Sequence, residues 1–225
     1  MRIVAISDIH GHTGGLQALQ SELAAADLLI AAGDITHFGG APEAAEVLDA
    51  LLALAPRTVA VTGNCDPPAV GAYLEERGVG LDGRLRELDG VAFFGLGGSL
   101  PCPGPTPNEY TEEDYERILN GATSALPLVL VSHQPPYDTK LDMISTGLHV
   151  GSKSVRAFIE ERRPAVCICG HIHEAYGVDR LGSTVIVNPG PFQLGGFACC
   201  DLSAGRAEIT LKKISSRCAR LRNPS

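Results

Sequence analysis

The chain has 225 residues, of which 44% are hydrophobic and 20% are charged, a length and composition that fit one globular domain with a full core. Its formal net charge of -8 is spread along the chain without a basic cluster, which argues against non-specific binding to nucleic acids or to a membrane surface. A small phosphoester is still compatible with this charge, because bound metal ions can meet the charge of the phosphate.

The first residues, Met1 to Val4, lead directly into a strand-like run that Asp8 interrupts, so we predict no signal peptide. No apolar run approaches the roughly 20 residues that span a bilayer. The seven cysteines lack the spacing of a disulfide framework or a zinc site, and Cys167 and Cys169 alternate as small buried residues of a strand. We therefore expect a soluble, cytoplasmic protein; the pattern specifies no oligomeric state.

The first half of the chain alternates strands with helices. Leu16, Leu19 and Leu23 repeat at helical spacing after the first strand, and Pro42 stands in the first turn of the next helix. This alternation predicts parallel βαβ units with helices on both faces of a sheet. The predicted elements are strands at 2–7, 27–32 and 57–62 and helices at 14–26, 41–54 and 67–76.

The second half is richer in strands. Asp89-Gly90 separates the two strands of a predicted hairpin, and Thr111 precedes acidic residues as the N-cap of a helix. The loop over 134–151 is long enough to suggest a functional role. We predict one domain over 1–213 and a flexible tail over 214–225. The predicted elements are strands at 84–88, 91–96, 128–131, 165–169, 175–179, 184–187, 197–202 and 207–212 and helices at 111–120 and 152–162.

Polar residues follow five of the apolar strands, at the point where each strand ends. In open parallel sheets these carboxyl ends lie at one edge, so residues far apart in sequence converge there. The mixed oxygen and nitrogen set suits manganese, iron, zinc or nickel. Seven ligands are too many for one tetrahedral zinc ion but suit two ions that share a carboxylate. The candidate metal ligands are Asp8, His10, Asp34, Asn64, His133, His171 and His173.

Each of these residues has a simpler interpretation when it is taken alone. Asp8 and Asp34 are possible helix N-caps, the segment at 64–66 precedes Pro67 and is a possible turn, and His133 is a possible surface residue. Their common placement at five strand ends favours the metal site over these separate explanations.

The ordered motifs Asp8-Ile9-His10, Gly33-Asp34, Gly63-Asn64-Cys65-Asp66, His133 and Gly170-His171-Ile172-His173 resemble those of the calcineurin-like metallophosphoesterases. The resemblance covers residues 1 to about 190 and implies a four-layer α/β/β/α sandwich of two mixed β-sheets flanked by helices. It also implies two divalent ions, with manganese as the first choice, that activate a bridging hydroxide for in-line attack on phosphorus. By position, Asp8, His10 and His173 hold the first ion, Asn64, His133 and His171 hold the second, and Asp34 bridges them.

Cys65 departs from the family pattern, since most members carry a histidine after the asparagine to bind the phosphate and protonate the leaving oxygen. A thiol is protonated at neutral pH but is a weak hydrogen-bond donor. Cysteine at this position resembles a branch of small bacterial and archaeal phosphodiesterases. We therefore expect a phosphodiesterase that prefers good leaving groups or takes the proton from His12, His37 or His149.

The expected catalytic residues are Asn64, Cys65 and His149, and the expected partner is a small phosphoester substrate. Two alternatives stay open. One is a phosphomonoesterase or nucleotidase that uses the same site, and the other is a scaffold that keeps the fold without catalysis.

Overall fold

The structure is a computed structural model and describes residues 1–55 and 57–214. Eleven strands and five α-helices are present in these residues. The strands are β1 (Arg2–Ile6), β2 (Leu28–Ala32), β3 (Thr58–Val61), β4 (Leu85–Leu88), β5 (Val91–Leu96), β6 (Leu128–Ser132), β7 (Val166–Ile168), β8 (Gly177–Leu181), β9 (Thr184–Asn188), β10 (Gly196–Ser203) and β11 (Arg206–Lys213). The helices are α1 (Gln20–Ala24), α2 (Ala41–Leu54), α3 (Pro68–Glu76), α4 (Glu112–Leu119) and α5 (Lys153–Arg162).

The strands form two mixed sheets. One has five strands in the order β11-β10-β1-β2-β3, and the other has six in the order β4-β5-β6-β7-β9-β8. β1, β2 and β3 are parallel to one another, as are β5, β6, β7 and β9, while antiparallel strands complete both sheets. The predicted fold of two mixed sheets flanked by helices is confirmed.

The core has three parts, which correspond to the interfaces of a four-layer structure. Along β1, Ile3 and Ala5 pack between the two sheets, whereas Val4 and Ile6 pack against the helices on the outer face. Both faces of β1 are therefore buried, which explains its uninterrupted apolar sequence. α2 and α3 cover the five-stranded sheet, and α4 and α5 cover the six-stranded sheet.

Three details of the sequence prediction are wrong. The first predicted helix begins with a 3-10 segment at Leu16–Leu19, and only Gln20–Ala24 is α-helical. The strand predicted from residue 175 begins at Gly177, because His173–Ala175 form a 3-10 turn. In this turn the His173 side chain lies next to Asp8. Ile214, assigned to the tail, is buried in the same core cluster as Val4 and Ile6, and residues 215–225 lie outside the described residues.

No helix among the described residues is long and apolar enough to cross a membrane.

Candidate metal centre

The strand ends of both sheets meet at one edge of the sandwich. Within the first sheet, the backbone N–H of Asp8 donates to the Gly33 carbonyl at 3.0 Å. Between the sheets, Nδ1 of His133 bonds the Ala32 carbonyl at 2.8 Å, and the backbone N–H of His171 donates to Oδ1 of Asp8 at 3.2 Å. The predicted convergence of these residues is therefore present in the structure.

Four of the seven candidate ligands have left-handed backbone conformations. Their φ angles are 55° at Asp8, 48° at His10, 49° at Asp34 and 69° at His171. Non-glycine residues adopt such angles at a cost in free energy and concentrate at functional sites. The strained residues lie in the loops directly after the strands, where the backbone must change direction to place their side chains at the shared edge.

Two glycines allow these strand ends to approach one another. A Cβ on Gly33, whose φ is +96°, would lie 2.2 Å from Nδ1 of His133. A Cβ on Gly63 would lie 2.0 Å from Oδ1 of Asp34. The glycines that precede Asp34 and Asn64 are thus required by the distance between the elements.

The first group of ligands is Asp8, His10 and His173. One potential ligand atom from each lies within 4.8 Å of the others. Nε2 of His173 is 3.2 Å from Oδ1 of Asp8 and 3.4 Å from Nε2 of His10. Asp8 is fully buried, yet its Oδ2 has no hydrogen-bond partner among the described residues. A buried carboxylate oxygen without a donor fits a bound cation, which would supply the missing partner.

The second group contains Asp34, Asn64 and His133. Nε2 of His133 is 3.2 Å from Oδ1 of Asn64 and 3.5 Å from Oδ2 of Asp34. Because the Ala32 carbonyl can only accept, Nδ1 of His133 carries the donated proton, which leaves the lone pair of Nε2 free for a metal when the ring is neutral. Oδ2 of Asp34 is also 3.7 Å from Nε2 of His10, so this carboxylate lies between the two groups.

His171 contacts residues of both groups, although it belongs to no three-residue cluster within 4.8 Å among the residues that the structure describes. Its ring centroid is 5.2 Å from that of His133, and its backbone bonds Asp8. Burial and the neighbouring charge of His133 lower the pKa of His171 to about 4. The ring is therefore neutral at physiological pH, as a metal ligand must be.

Buried opposite charges dominate the electrostatics of the site. Burial acts to raise the pKa of Asp34, but His133, His10 and the backbone hydrogen bond from Cys65 together outweigh it and keep that pKa well below its ordinary value. Burial acts to lower the pKa of His133, but the Asp34 carboxylate raises it to about 9. In the protein alone, a protonated His133 thus compensates Asp34. A divalent ion can take over that role and release the proton.

Cys65 lies inside the cluster. Its Sγ is within 4.8 Å of ligand atoms of His10 and Asp34, and the side chain is buried. Burial and the charge of Asp34 raise the pKa of the Cys65 thiol far above its ordinary value. The structure therefore brings Cys65 together with the ligands, in surroundings that favour the protonated thiol.

His149 contacts other residues. Its Nδ1 bonds Oδ1 of the buried Asp142 at 2.7 Å, and its Nε2 is 3.9 Å from Oδ1 of Asp138. None of its polar contacts within the described part of the chain reaches a candidate ligand. Its expected part in catalysis is not supported by these contacts.

The other two histidines do contact a ligand. Nδ1 of the exposed His37 is 3.5 Å from Nδ1 of His10. Nδ1 of His12 donates to the His10 carbonyl at 2.9 Å. His37 therefore contacts the ring of the candidate ligand His10, whereas His12 contacts only the backbone of that residue.

Two supporting residues were not identified from the sequence. Asp66 accepts hydrogen bonds from the backbone N–H groups of Ile35, Thr36 and Gly63 and thereby joins two of the ligand loops. Its place in the Gly63–Asp66 motif was an available signal. The side chain of Asn108 donates to the Gly63 carbonyl at 3.0 Å. Asn108 belongs to an irregular loop, where no pattern marks such a contact.

Comparison with known proteins agrees with this site. A sequence profile described as calcineurin-like phosphoesterase matches residues 1–175. An uncharacterised protein of Methanocaldococcus jannaschii is 40% identical over 198 residues, which cover 85% of this chain and 88% of that protein.

Two solved structures share the fold. A protein of Thermus thermophilus is 21% identical with a TM-score of 0.73, and the match covers 95% of this chain and 98% of that one. A dimetal phosphatase from Danio rerio is 14% identical with a TM-score of 0.67, and the match covers 96% of this chain and 99% of that one. The profile match and the archaeal relative show that this chain belongs to the calcineurin-like phosphoesterases, a family that binds divalent metals.

Proposed function

We propose that the protein is a phosphodiesterase that uses two divalent metal ions, with manganese as the first choice. The observation that carries this proposal is the buried pair of carboxylates, Asp8 and Asp34, each within ligand distance of histidines from both sheets. The fold neighbour from Danio rerio is named a dimetal phosphatase, a name that is consistent with two ions in this fold.

The preference for a diester follows from the charges around the site. No lysine or arginine in residues 1–55 and 57–214 forms a hydrogen bond or ion pair with a candidate ligand. A phosphodiester carries one negative charge and a monoester close to two at neutral pH, so the monoester needs more positive charge for binding. Because the metal ions would be the positive charge in contact with the phosphate, the singly charged diester is the better match.

The candidate ligands would have different roles in hydrolysis. Asp8, His10 and His173 would hold one ion, Asn64, His133 and His171 would hold the other, and Asp34 would contact both. Bound divalent ions supply Lewis acidity, lower the pKa of the attacking water and neutralise charge on the phosphoryl oxygens. The amide of Asn64 can in addition donate a hydrogen bond to a phosphate oxygen.

The buried thiol of Cys65 provides little assistance to the leaving group. A protonated thiol is a weak donor, and its raised pKa makes proton transfer unfavourable. The proposed enzyme therefore works best on esters of acidic alcohols, such as aryl diesters.

The test is a substrate panel with purified protein reconstituted with manganese, nickel or magnesium. We expect bis(p-nitrophenyl) phosphate to be hydrolysed with a higher kcat/KM than p-nitrophenyl phosphate, and metal analysis to find two ions per chain. A higher kcat/KM for the monoester would instead identify a phosphomonoesterase. Fewer than one ion per chain, together with no turnover of either ester, would favour the non-catalytic scaffold.

A further inference from the structure

A groove of about 580 Å³ lies beside His173, which belongs to the loop after β7. Its lining also includes Tyr176, the segment Pro189–Pro191 between β9 and β10, and Leu194. The end of β11 completes it with Lys212 and Lys213. The volume lies within the range of roughly 300–1,000 Å³ that is typical of small-molecule sites.

Two large apolar side chains of this groove are exposed. Tyr176 is 66% exposed and Leu194 is 62% exposed. Gly190, with φ +78°, leaves room for the tyrosine, because a Cβ there would lie 3.0 Å from Cβ of Tyr176. An exposed aromatic ring beside a cavity and next to a metal ligand is a ready surface for stacking a planar group.

The groove is lined by one carboxylate and two lysines, and the carboxylate, Glu174, accepts a hydrogen bond from the backbone N–H of Ser145 at 3.2 Å. Lys212 is paired with Glu22, with Nζ 2.5 Å from Oε1. Lys213 forms no ion pair with any of the described residues. An anionic group on a ligand in the groove would therefore meet Lys213 as its available partner.

We infer that this groove binds one arm of the substrate, namely an alcohol that carries a planar aromatic group and a second anionic group. The inference rests on the proposed function, because His173 borders both the groove and the first group of metal ligands. A phosphoester bound to the ion that Asp8, His10 and His173 would hold has room to extend one of its substituents past His173 into the groove. Nucleotide-type diesters are the class that combines these features with this volume.

The first test compares three diesters that share the p-nitrophenyl leaving group, so that the bond broken is the same. The second alcohol is methanol, thymidine through its 5′ oxygen, or thymidine that also carries a 3′-phosphate. We expect KM to fall by at least about ten-fold from the methyl to the thymidine ester, because stacking of one base contributes this much. The 3′-phosphate should lower KM further.

Substitutions assign these effects to residues. Tyr176→Ala should abolish the difference in KM between the methyl and thymidine esters, and Tyr176→Phe should keep it. Lys213→Gln should remove only the further gain from the 3′-phosphate. Leu148→Ala, at an apolar side chain that is 63% exposed and outside the groove lining, is the matched control.

Two results separate this inference from the proposed function. Equal KM ratios in the wild-type protein and in Tyr176→Ala would overturn the groove assignment while the hydrolysis of the methyl ester still supports the diesterase. If no diester is hydrolysed, calorimetry with thymidine 3′,5′-bisphosphate decides. Tighter binding to the wild type than to Tyr176→Ala then supports the groove, and equal binding rejects it.

Discussion

The backbone N–H of Cys65 donates a hydrogen bond of 2.8 Å to Oδ1 of Asp34, the carboxylate that lies between the two ligand groups. This bond belongs to the main chain and does not depend on the side chain at position 65. The position therefore has two separable functions. Its backbone orients the shared carboxylate, and its side chain determines what faces the substrate from this loop.

Replacing the thiol by imidazole should improve proton transfer to the leaving oxygen. We expect Cys65→His to raise kcat by at least about ten-fold on a diester with an alkoxide leaving group. On a diester with an aryl oxide leaving group kcat should change much less, because an aryl oxide needs no proton to depart. Cys65→Ser, which keeps a small side chain, should show no such difference. An unchanged rate on both esters would mean that the acid at this position does not limit the reaction.

Asp34→Asn tests whether this carboxylate is shared by two ions. The amide can still accept the bond from Cys65, so the fold should persist, but the lost charge should reduce binding from two ions to at most one. We expect kcat to fall by at least about a thousand-fold. Metal analysis and steady-state kinetics provide the measurements, and Asp49→Asn, at a surface ion pair with Arg77, is the control. Near wild-type activity in Asp34→Asn would overturn the two-ion assignment.

The strands could be predicted from the sequence more accurately than the loops, for a physical reason. A strand buried on both faces leaves a continuous apolar run, as in Val4 to Ile6, and the polar residue that follows is then visible by contrast. The ligands could be predicted because parallel strands must end at one edge. The contact of Asn108 with Gly63, and that of His149 with Asp142, depend on the paths of irregular loops, which no periodicity encodes.

His37 should support metal binding through the His10 ring. When Nε2 of His10 binds an ion, the proton of its ring is on Nδ1. This N–H can donate a hydrogen bond to Nδ1 of His37, 3.5 Å away. Loss of such a partner typically weakens metal affinity by about 10–100-fold. We expect this decrease for His37→Phe, which keeps an aromatic ring at this place. Calorimetric titration of the metal-free protein with manganese measures it.

The matched control is His12→Phe, because His12 bonds only the His10 carbonyl. Its manganese affinity should stay close to that of the wild type. Equal affinities for the two variants would show that the contact between the His10 and His37 rings has no role in metal binding.

Gly33 should tolerate no side chain. In Gly33→Ala, the methyl group would overlap His133, and φ +96° would be strained as well. We expect a loss of about 2–5 kcal/mol in the free energy of unfolding. Gly78→Ala separates the two effects, since Gly78 has φ +71° with nothing within 4 Å of the added methyl, and strain alone should cost about 1–2 kcal/mol. Urea denaturation of both variants gives the comparison, and equal losses would contradict the proposed overlap with His133.

The loop over 138–151 should open as the pH rises. The hydrogen bond to Asp142 raises the pKa of His149 above its ordinary value of 6.5. A histidine whose pKa is raised in the folded state adds stability that is complete below the unfolded pKa and is lost as the pH passes through the folded value. The charged His149 should therefore hold the loop closed at pH 6 and less firmly at pH 8.5. Hydrogen exchange of the backbone amides in this loop measures the change.

His149→Gln provides the reference for this experiment, because glutamine can still donate a hydrogen bond but does not titrate. After correction for the intrinsic pH dependence of exchange, protection of the loop in the wild type should fall between pH 6 and pH 8.5. In His149→Gln it should stay constant. The two proteins differ only at position 149, so the difference between them reports on the contact between His149 and Asp142. A parallel loss of protection in both proteins would show that this contact does not control the loop.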